Sequence, residues 1–244
     1  MAALIGAVAA QEGGVSLKFL AAETGLHPST AFRILAALQV HHFVERDAAG
    51  VYRLGSAWLR LGARLRTQRD VREEARPFLN ALRDQVGETV NLTVREGDQV
   101  VYVERALPNR MMRVEQVVGS RAPLHVTAVG KLMLGEAGEQ ACRDYAQRSG
   151  LPRYTVNTIT NAQQLVEESL LAVRRGFAYD DEEAELGVGC IGVLVRDGSG
   201  VVAAGLSISA PRERRQEAWA GLLRDTAAQI SERLGYVPER ARAS

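Results

Sequence analysis

Apolar positions recur first at helical spacing and then at every second residue, and the chain repeats that switch. Residues 2–11 form an apolar, helix-compatible run stopped by Gly13-Gly14. Ser16 stands where a helix cap belongs, Leu17, Leu20 and Ala21 share one face of the next segment, and Gly25 is placed to end it in a left-handed conformation. Pro28 or Ser29 opens a further helix on which Phe32, Leu35, Leu38 and Gln39 recur at helical spacing. Helix, short glycine turn, helix predicts a helix-turn-helix. Phe43–Arg46 and Val51–Leu54 read as strands joined by Asp47-Ala48-Ala49-Gly50, a hairpin in the position of a wing.

Ser56 predicts the cap of a linker helix with Trp58, Leu59, Leu61 and Leu65 on one side and Arg60, Arg64, Arg66 and Arg69 on the other. Pro77 predicts a break or kink, because proline lacks the helix N–H and clashes with the preceding turn. A connecting helix to about Asp70 and a first helix of a second domain to about Val86 follow from that. Thr89–Glu96 and Gln99–Ala106 alternate around a two-residue Gly97-Asp98 turn, and Met112–Val117 reads as a third strand. A helix begins near Thr127, and residues 138–149 and 161–175 predict two more, the second stopped by Gly176. Phe177–Asp180, Cys190–Arg196 and Val201–Ser209 read as strands, and Arg212–Leu234 as a closing helix. The pattern is α+β, helices packed against a sheet with antiparallel hairpins at both ends. It divides into a winged helix-turn-helix over 1–56, a linker helix over 57–74 and a larger domain over 75–244.

Composition narrows the class. The chain has 244 residues, 46% hydrophobic and 24% charged, enough for a core in each part. No apolar run approaches the ~18 residues of a membrane span, and Met1–Ala10 lacks the basic start of a signal peptide. Two cysteines, Cys142 and Cys190, make no disulfide framework and fit a reducing, cytoplasmic setting. Net charge is +1 overall, but residues 1–66 hold seven basic and four acidic residues, a bias toward the N-terminus that favours nucleic acid there.

Candidate chemistry follows the same division. Ser29, Thr30 and Arg33 at the start of the second helix can reach phosphates and base edges in a major groove, and Arg46 and Arg53 can straddle the adjacent backbone. In the larger part, the helix start near Thr127 leaves the N–H groups of Ala128 and Val129 for a carboxylate. Ser207 and Ser209 share one strand face, and Asp180 and Cys190 bracket the acidic, glycine-bearing loop EEAELGVG. An enzyme using Cys190 as nucleophile with His125 as base and Asp180 as orienter is the alternative reading. His27, His41, His42 and His125 show no metal-ligand spacing, and no cofactor motif is present.

The segment SLKFLAAETGLHPSTAFRILAALQVHHFVERDAAGVYRLG resembles the winged helix of the IclR family of transcriptional regulators. PLHVTAVGKLML and DDEEAELGVGCIGVLVRDGSGVVAAGLSISAP are similar to two blocks of that family's effector domain, so the resemblance covers nearly the whole chain. It implies a GAF-like effector-binding domain, double-stranded operator DNA as partner, and a regulator (a repressor in the first instance) modulated by a small organic or aromatic acid. It also implies a homodimer or dimer of dimers. Carried over residue by residue, it implies DNA contacts at Ser16, His27, Pro28, Ser29, Thr30, Arg33, Arg46 and Arg53. It implies effector contacts at Met111, Val114, Ala128, Val129, Asp180, Val188, Cys190, Ser207 and Ser209. Ala128-Val129 departs from the glycine-alanine pair of many relatives, so the bulkier valine reshapes the expected pocket.

Overall fold

A computed structural model describes residues 1–11, 13–68 and 70–238, and the chain divides into two compact units that part at residues 69–70. The first unit holds α1 (Ala2–Ala9), β1 (Val15–Ser16), α2 (Leu17–Thr24), α3 (Pro28–Val40), β2 (Val44–Arg46), β3 (Val51–Leu54) and α4 (Ala57–Gln68). Leu4 and Val8 of α1 close on Leu20, Ala21, Ala31, Leu35, Leu38, Val44 and Tyr52 in one core. The wing has three antiparallel strands, not the two expected, because Val15 and Ser16 pair with Tyr52 and Val51. Asp47 fixes its turn by accepting from the Ala49 and Val51 N–H groups at 3.0 and 2.9 Å. Phe32 does not join the core. Helical rotation puts Ala31, Leu35 and Leu38 on the buried side, and Phe32 and Gln39 face out. Trp58 of α4 is held by a 2.8 Å bond from its indole N–H to the Phe43 carbonyl. The expected Arg64, Leu65, Arg66 and Arg69 side chains lie outside the described residues.

The second unit opens with α5 (Val71–Val86), capped by Asp70, which accepts from the Arg72 N–H at 2.9 Å. Pro77 does not break this helix. It lies on the exposed side, where the Glu73 carbonyl that loses its partner can bond to water, while Ala75, Leu79 and Leu82 keep the opposite side in the core. The remaining elements are β4 (Thr89–Glu96), β5 (Gln99–Ala106), β6 (Arg121–Pro123), α6 (Ala128–Glu136), α7 (Glu139–Ser149), α8 (Ala162–Arg175), β7 (Ala178–Asp181), β8 (Val188–Arg196), β9 (Val202–Pro211) and α9 (Trp219–Arg233). Six strands form one antiparallel sheet in the order β6-β5-β4-β9-β8-β7.

Period-two alternation sorts the two faces. Val90, Leu92, Ile191, Val193, Leu206 and Ile208 meet Leu79 and Leu82 of α5 and Trp219 and Leu223 of α9. The other face carries α6, with α7 and α8 outside it. The predicted strand over Met112–Val117 is absent. That segment alternates as a strand would, with Val114 and Gln116 half-buried, but side chains take its carbonyls. Thr89 Oγ1 donates to the Val114 carbonyl at 2.5 Å, and Arg105 donates to that of Gln116. The ladder at this edge is confined to β6, opposite Gln99–Val101.

Candidate functional site

The N-terminal candidates sit on or beside α3. His27 caps this helix, its Nδ1 lying 2.8 Å from the Ser29 hydroxyl and accepting from the Ser29 N–H at 3.4 Å. Pro28 occupies the first turn, where its missing N–H costs nothing. Ser29 and Arg33 are exposed and Thr30 is half-buried. Ser16 caps α2 by accepting from the Phe19 N–H at 3.3 Å. Arg46 and Arg53 lie on opposite faces of the hairpin, since Arg46 is in register with Tyr52 and not with Arg53. Arg46 lies over the Tyr52 ring at 5.4 Å, and Arg53 reaches the Gly13 carbonyl at 3.3 Å and Asp47 at 3.6 Å. Arg33 has no ion pair among the described residues. The helix thus presents a free cation, flanked by a hydroxyl and a preformed N-terminus, and the wing offers two more cations on either side.

In the second unit, three rows of residues cross the sheet on the face below α6. Asp180, Cys190, Ser209 and Thr89 are successive partners across β7, β8, β9 and β4. Gly192, Ser207, Asn91 and Arg105 make the next row, and Gly205, Thr93 and Tyr102 belong to the third. Asn91 is fully buried. Its Nδ2 donates to Ser209 Oγ at 3.1 Å and to Gln116 Oε1 at 3.0 Å, and its Oδ1 has no partner among the described residues. Cys190 Sγ lies 3.2 Å from Ser209 Oγ.

The start of α6 faces this floor. Thr127 caps it by accepting from the Gly130 N–H at 3.2 Å, and the N–H groups of Ala128 and Val129 have no acceptor inside the helix. Glycine at 192 and 205 permits the approach. A Cβ at 205 would stand 2.6 Å from Val129 Cβ, and one at 192 would stand 3.0 Å from the Val129 nitrogen. The structure therefore brings together Ala128, Val129, Asp180, Cys190, Ser207 and Ser209. Val188 continues the same face of β8, and Val114 reaches the floor through its carbonyl. Met111 stands apart, fully exposed. Thr89, Asn91, Thr93 and Tyr102 escaped the sequence reading. The strict polar-apolar alternation of Thr-Val-Asn-Leu-Thr-Val in β4 was the signal for three of them.

Electrostatics favour neutral groups here. Burial pushes the Asp180 carboxyl up, against the pull of the Glu183 N–H that it accepts at 2.9 Å and of Lys131. Burial raises the Cys190 thiol and the Tyr102 phenol too, and the nearby Asp180 charge adds to both. The cysteine-histidine enzyme reading fails on geometry. His125 Nδ1 meets Tyr145 Oη at 2.7 Å and Nε2 meets the Pro152 carbonyl at 3.1 Å, so both ring nitrogens are engaged away from Cys190. A raised thiol is also a poor nucleophile.

A folded-state carboxyl raised above its unfolded value gives stability that is complete below the unfolded value, about 3.9, and is lost as pH rises through the folded one. Asp180→Asn keeps an acceptor for Glu183 and removes the titration. Urea midpoints at pH 4.5, 6 and 7.5 should fall with pH more steeply in the wild type than in Asp180→Asn. Parallel curves would show that Asp180 ionises without cost.

Comparison with known proteins places both units. The family description "IclR helix-turn-helix domain" matches residues 2–48, and "Bacterial transcriptional regulator IclR C-terminal" matches residues 64–232. The HTH-type transcriptional repressor AllR of Salmonella typhimurium is 33% identical over 238 residues, covering 93% of this chain and 85% of the relative. AllR of Escherichia coli K12 is 33% identical over 228 residues, covering 91% and 84%. Among solved structures, the Agobacterium tumefaciens repressor BlcR superposes with a TM-score of 0.79 at 30% identity, over 96% of this chain and 95% of that one. Pseudomonas aeruginosa HmgR gives 0.79 at 26% identity, over 96% of each chain. With both domains matched in order and relatives at this identity aligned over most of their length, the chain belongs to the IclR family of bacterial transcriptional regulators.

Proposed function

We propose that this regulator is a repressor that reads operator DNA with α3 and the wing, and that a small carboxylic acid bound beneath α6 changes its operator affinity. The observation that carries the effector reading is the buried Asn91 Oδ1, without a partner among the described residues, on a floor of hydroxyls below a helix N-terminus. An acceptor without a donor is costly inside a protein. A ligand hydroxyl or N–H satisfies it, while the Ala128 and Val129 N–H groups and the helix dipole receive a carboxylate. Burial pushes the Asp180 carboxyl up, which lessens its opposition to such an anion. Ser207, Ser209 and Cys190 surround the ligand, and Val129 limits its bulk.

Operator DNA is met by Ser29, Thr30 and Arg33 at the start of α3, with Arg46 and Arg53 on the flanking phosphates. His27 and Ser16 act through the helix ends that they cap. One recognition helix covers a few base pairs, so the active form is a homodimer, or a dimer of dimers, on two half-sites.

Calorimetry with small hydroxy, keto and aromatic acids, with and without operator DNA, tests the site. At least one acid should bind the wild type and change operator affinity about 5–150-fold, with the DNA changing acid affinity by the same factor. The Ser207→Ala/Ser209→Ala double variant should lose that binding. A folded double variant that binds a modulating acid as well as the wild type does would move the pocket elsewhere.

A further inference from the structure

The outward face of α3 is poor in hydrogen-bonding groups. At 3.6 residues per turn, Ser29, Arg33, Ala36, Ala37 and Val40 share the side opposite the buried Ala31, Leu35 and Leu38, with Phe32 and Gln39 on one flank of it and Thr30 on the other. In the first two turns the polar side chains are Ser29, Arg33 and the half-buried Thr30, and Gln39 lies near the C-terminal end. Phe32 is 46% exposed and outside the core, yet it lies in the N-terminal half of the helix, beside Arg33 and almost one turn from Ser29. The first turns of a recognition helix are the part that reaches base edges.

One guanidinium and two short hydroxyls in those turns leave few hydrogen bonds for base edges. Phe32 adds an apolar surface to the same turns, and the apolar mark in the major groove is the 5-methyl group of thymine. Ala36 and Ala37 keep the middle of the face low, so the ring at 32 is not held away from the groove by bulk farther along the helix. We infer that Phe32 is a specificity-determining residue that packs on a thymine methyl in each half-site, next to the base or phosphate met by Arg33. This rests on α3 being the operator-reading helix.

The experiment uses the full chain and an operator selected from random duplexes. Each thymine is replaced singly by deoxyuridine, which removes only the methyl. Wild-type affinity should fall about fourfold for one symmetry-related position per half-site, the factor expected for one buried methyl, and about fifteenfold when both half-sites are changed. Phe32→Ala should bind the unmodified operator correspondingly less well and be indifferent to deoxyuridine at that position, while keeping its response elsewhere. Phe32→Leu, which restores apolar contact, should recover part of the discrimination.

A wild type indifferent to every deoxyuridine, or a Phe32→Ala profile matching the wild type's, would overturn the assignment. Phe32 is exposed and outside the core cluster, so the variant should keep its fold, and the deoxyuridine scan on the wild type stands without any variant. Arg33→Ala separates the two levels. If it loses affinity while Phe32→Ala does not, α3 reads the operator without Phe32. If neither substitution matters, the operator-reading role of α3 fails with it.

Discussion

Lys131→Met is expected to lower the stability of the second unit by about 3–5 kcal/mol at neutral pH, the usual cost of leaving one member of a buried ion pair alone. Lys131 is 1% exposed and its ammonium bonds to Glu183 Oε1, on a side chain 8% exposed. The lysine sits in the first turn of α6, where the helix dipole disfavours a cation, so Glu183 is what holds its charge in place. The Glu183 backbone is fixed as well. Its N–H donates to Asp180 and its carbonyl accepts from Thr158 Oγ1 at 2.7 Å, so the pair ties α6 to the turn after β7 and to the segment before α8.

Without Lys131, a carboxylate already pushed up by burial, with Oε2 unpartnered among the described residues, has no counter-charge. It should take up a proton, so the loss should shrink as pH falls toward 4.5. Lys131→Met/Glu183→Met should recover most of the stability, since an apolar pair of similar volume is tolerated where a lone charge is not. Equilibrium urea unfolding measures all three proteins. A single variant within ~1 kcal/mol of wild type at pH 7 would mean that water reaches the pair.

Arg33→Ala is expected to weaken operator binding by about 1–3 kcal/mol for each half-site that it contacts. Arg33 is the cation on the face of α3 that needs no ion pair to be broken before DNA is met, whereas Arg46 and Arg53 must leave Tyr52, Gly13 and Asp47. The form of the loss identifies the contact. A base contact relaxes preference at one position of the site, and a phosphate contact weakens all sequences alike and reduces the salt slope by about one. Fluorescence anisotropy titrations at several salt concentrations distinguish the two. Unchanged affinity at every salt concentration in a folded variant would remove Arg33 from the interface.

Local chemistry made much of this protein legible from its sequence. Ser16, Gly25, Pro28, Thr127 and Gly176 mark helix ends by effects that operate within four residues, and the structure has helices beginning or ending at each. The Gly97-Asp98 hairpin and the alternation of β4, β8 and β9 were equally local, and so was the polar start of α3. What the sequence could not supply was partnership at a distance. Met112–Val117 has a strand's alternation, but a strand needs a free edge, and Thr89 and Arg105 occupy its carbonyls first. Pro77 obeys the local rule for a helix breaker and is overridden because the face it weakens is the wet one. Phe32 reads as core by spacing alone, until the rotation of α3 against Leu4, Leu20 and Tyr52 turns it outward. The candidate effector site shows the same division. Ser207 and Ser209 announced a shared face by their spacing, but Asn91 joins them only through the pairing of β4 with β9, 116 residues farther along the chain. Side-chain identity and near-neighbour geometry set the elements, while strand register and burial, which depend on residues far apart in the chain, decided which polar groups share one enclosed surface.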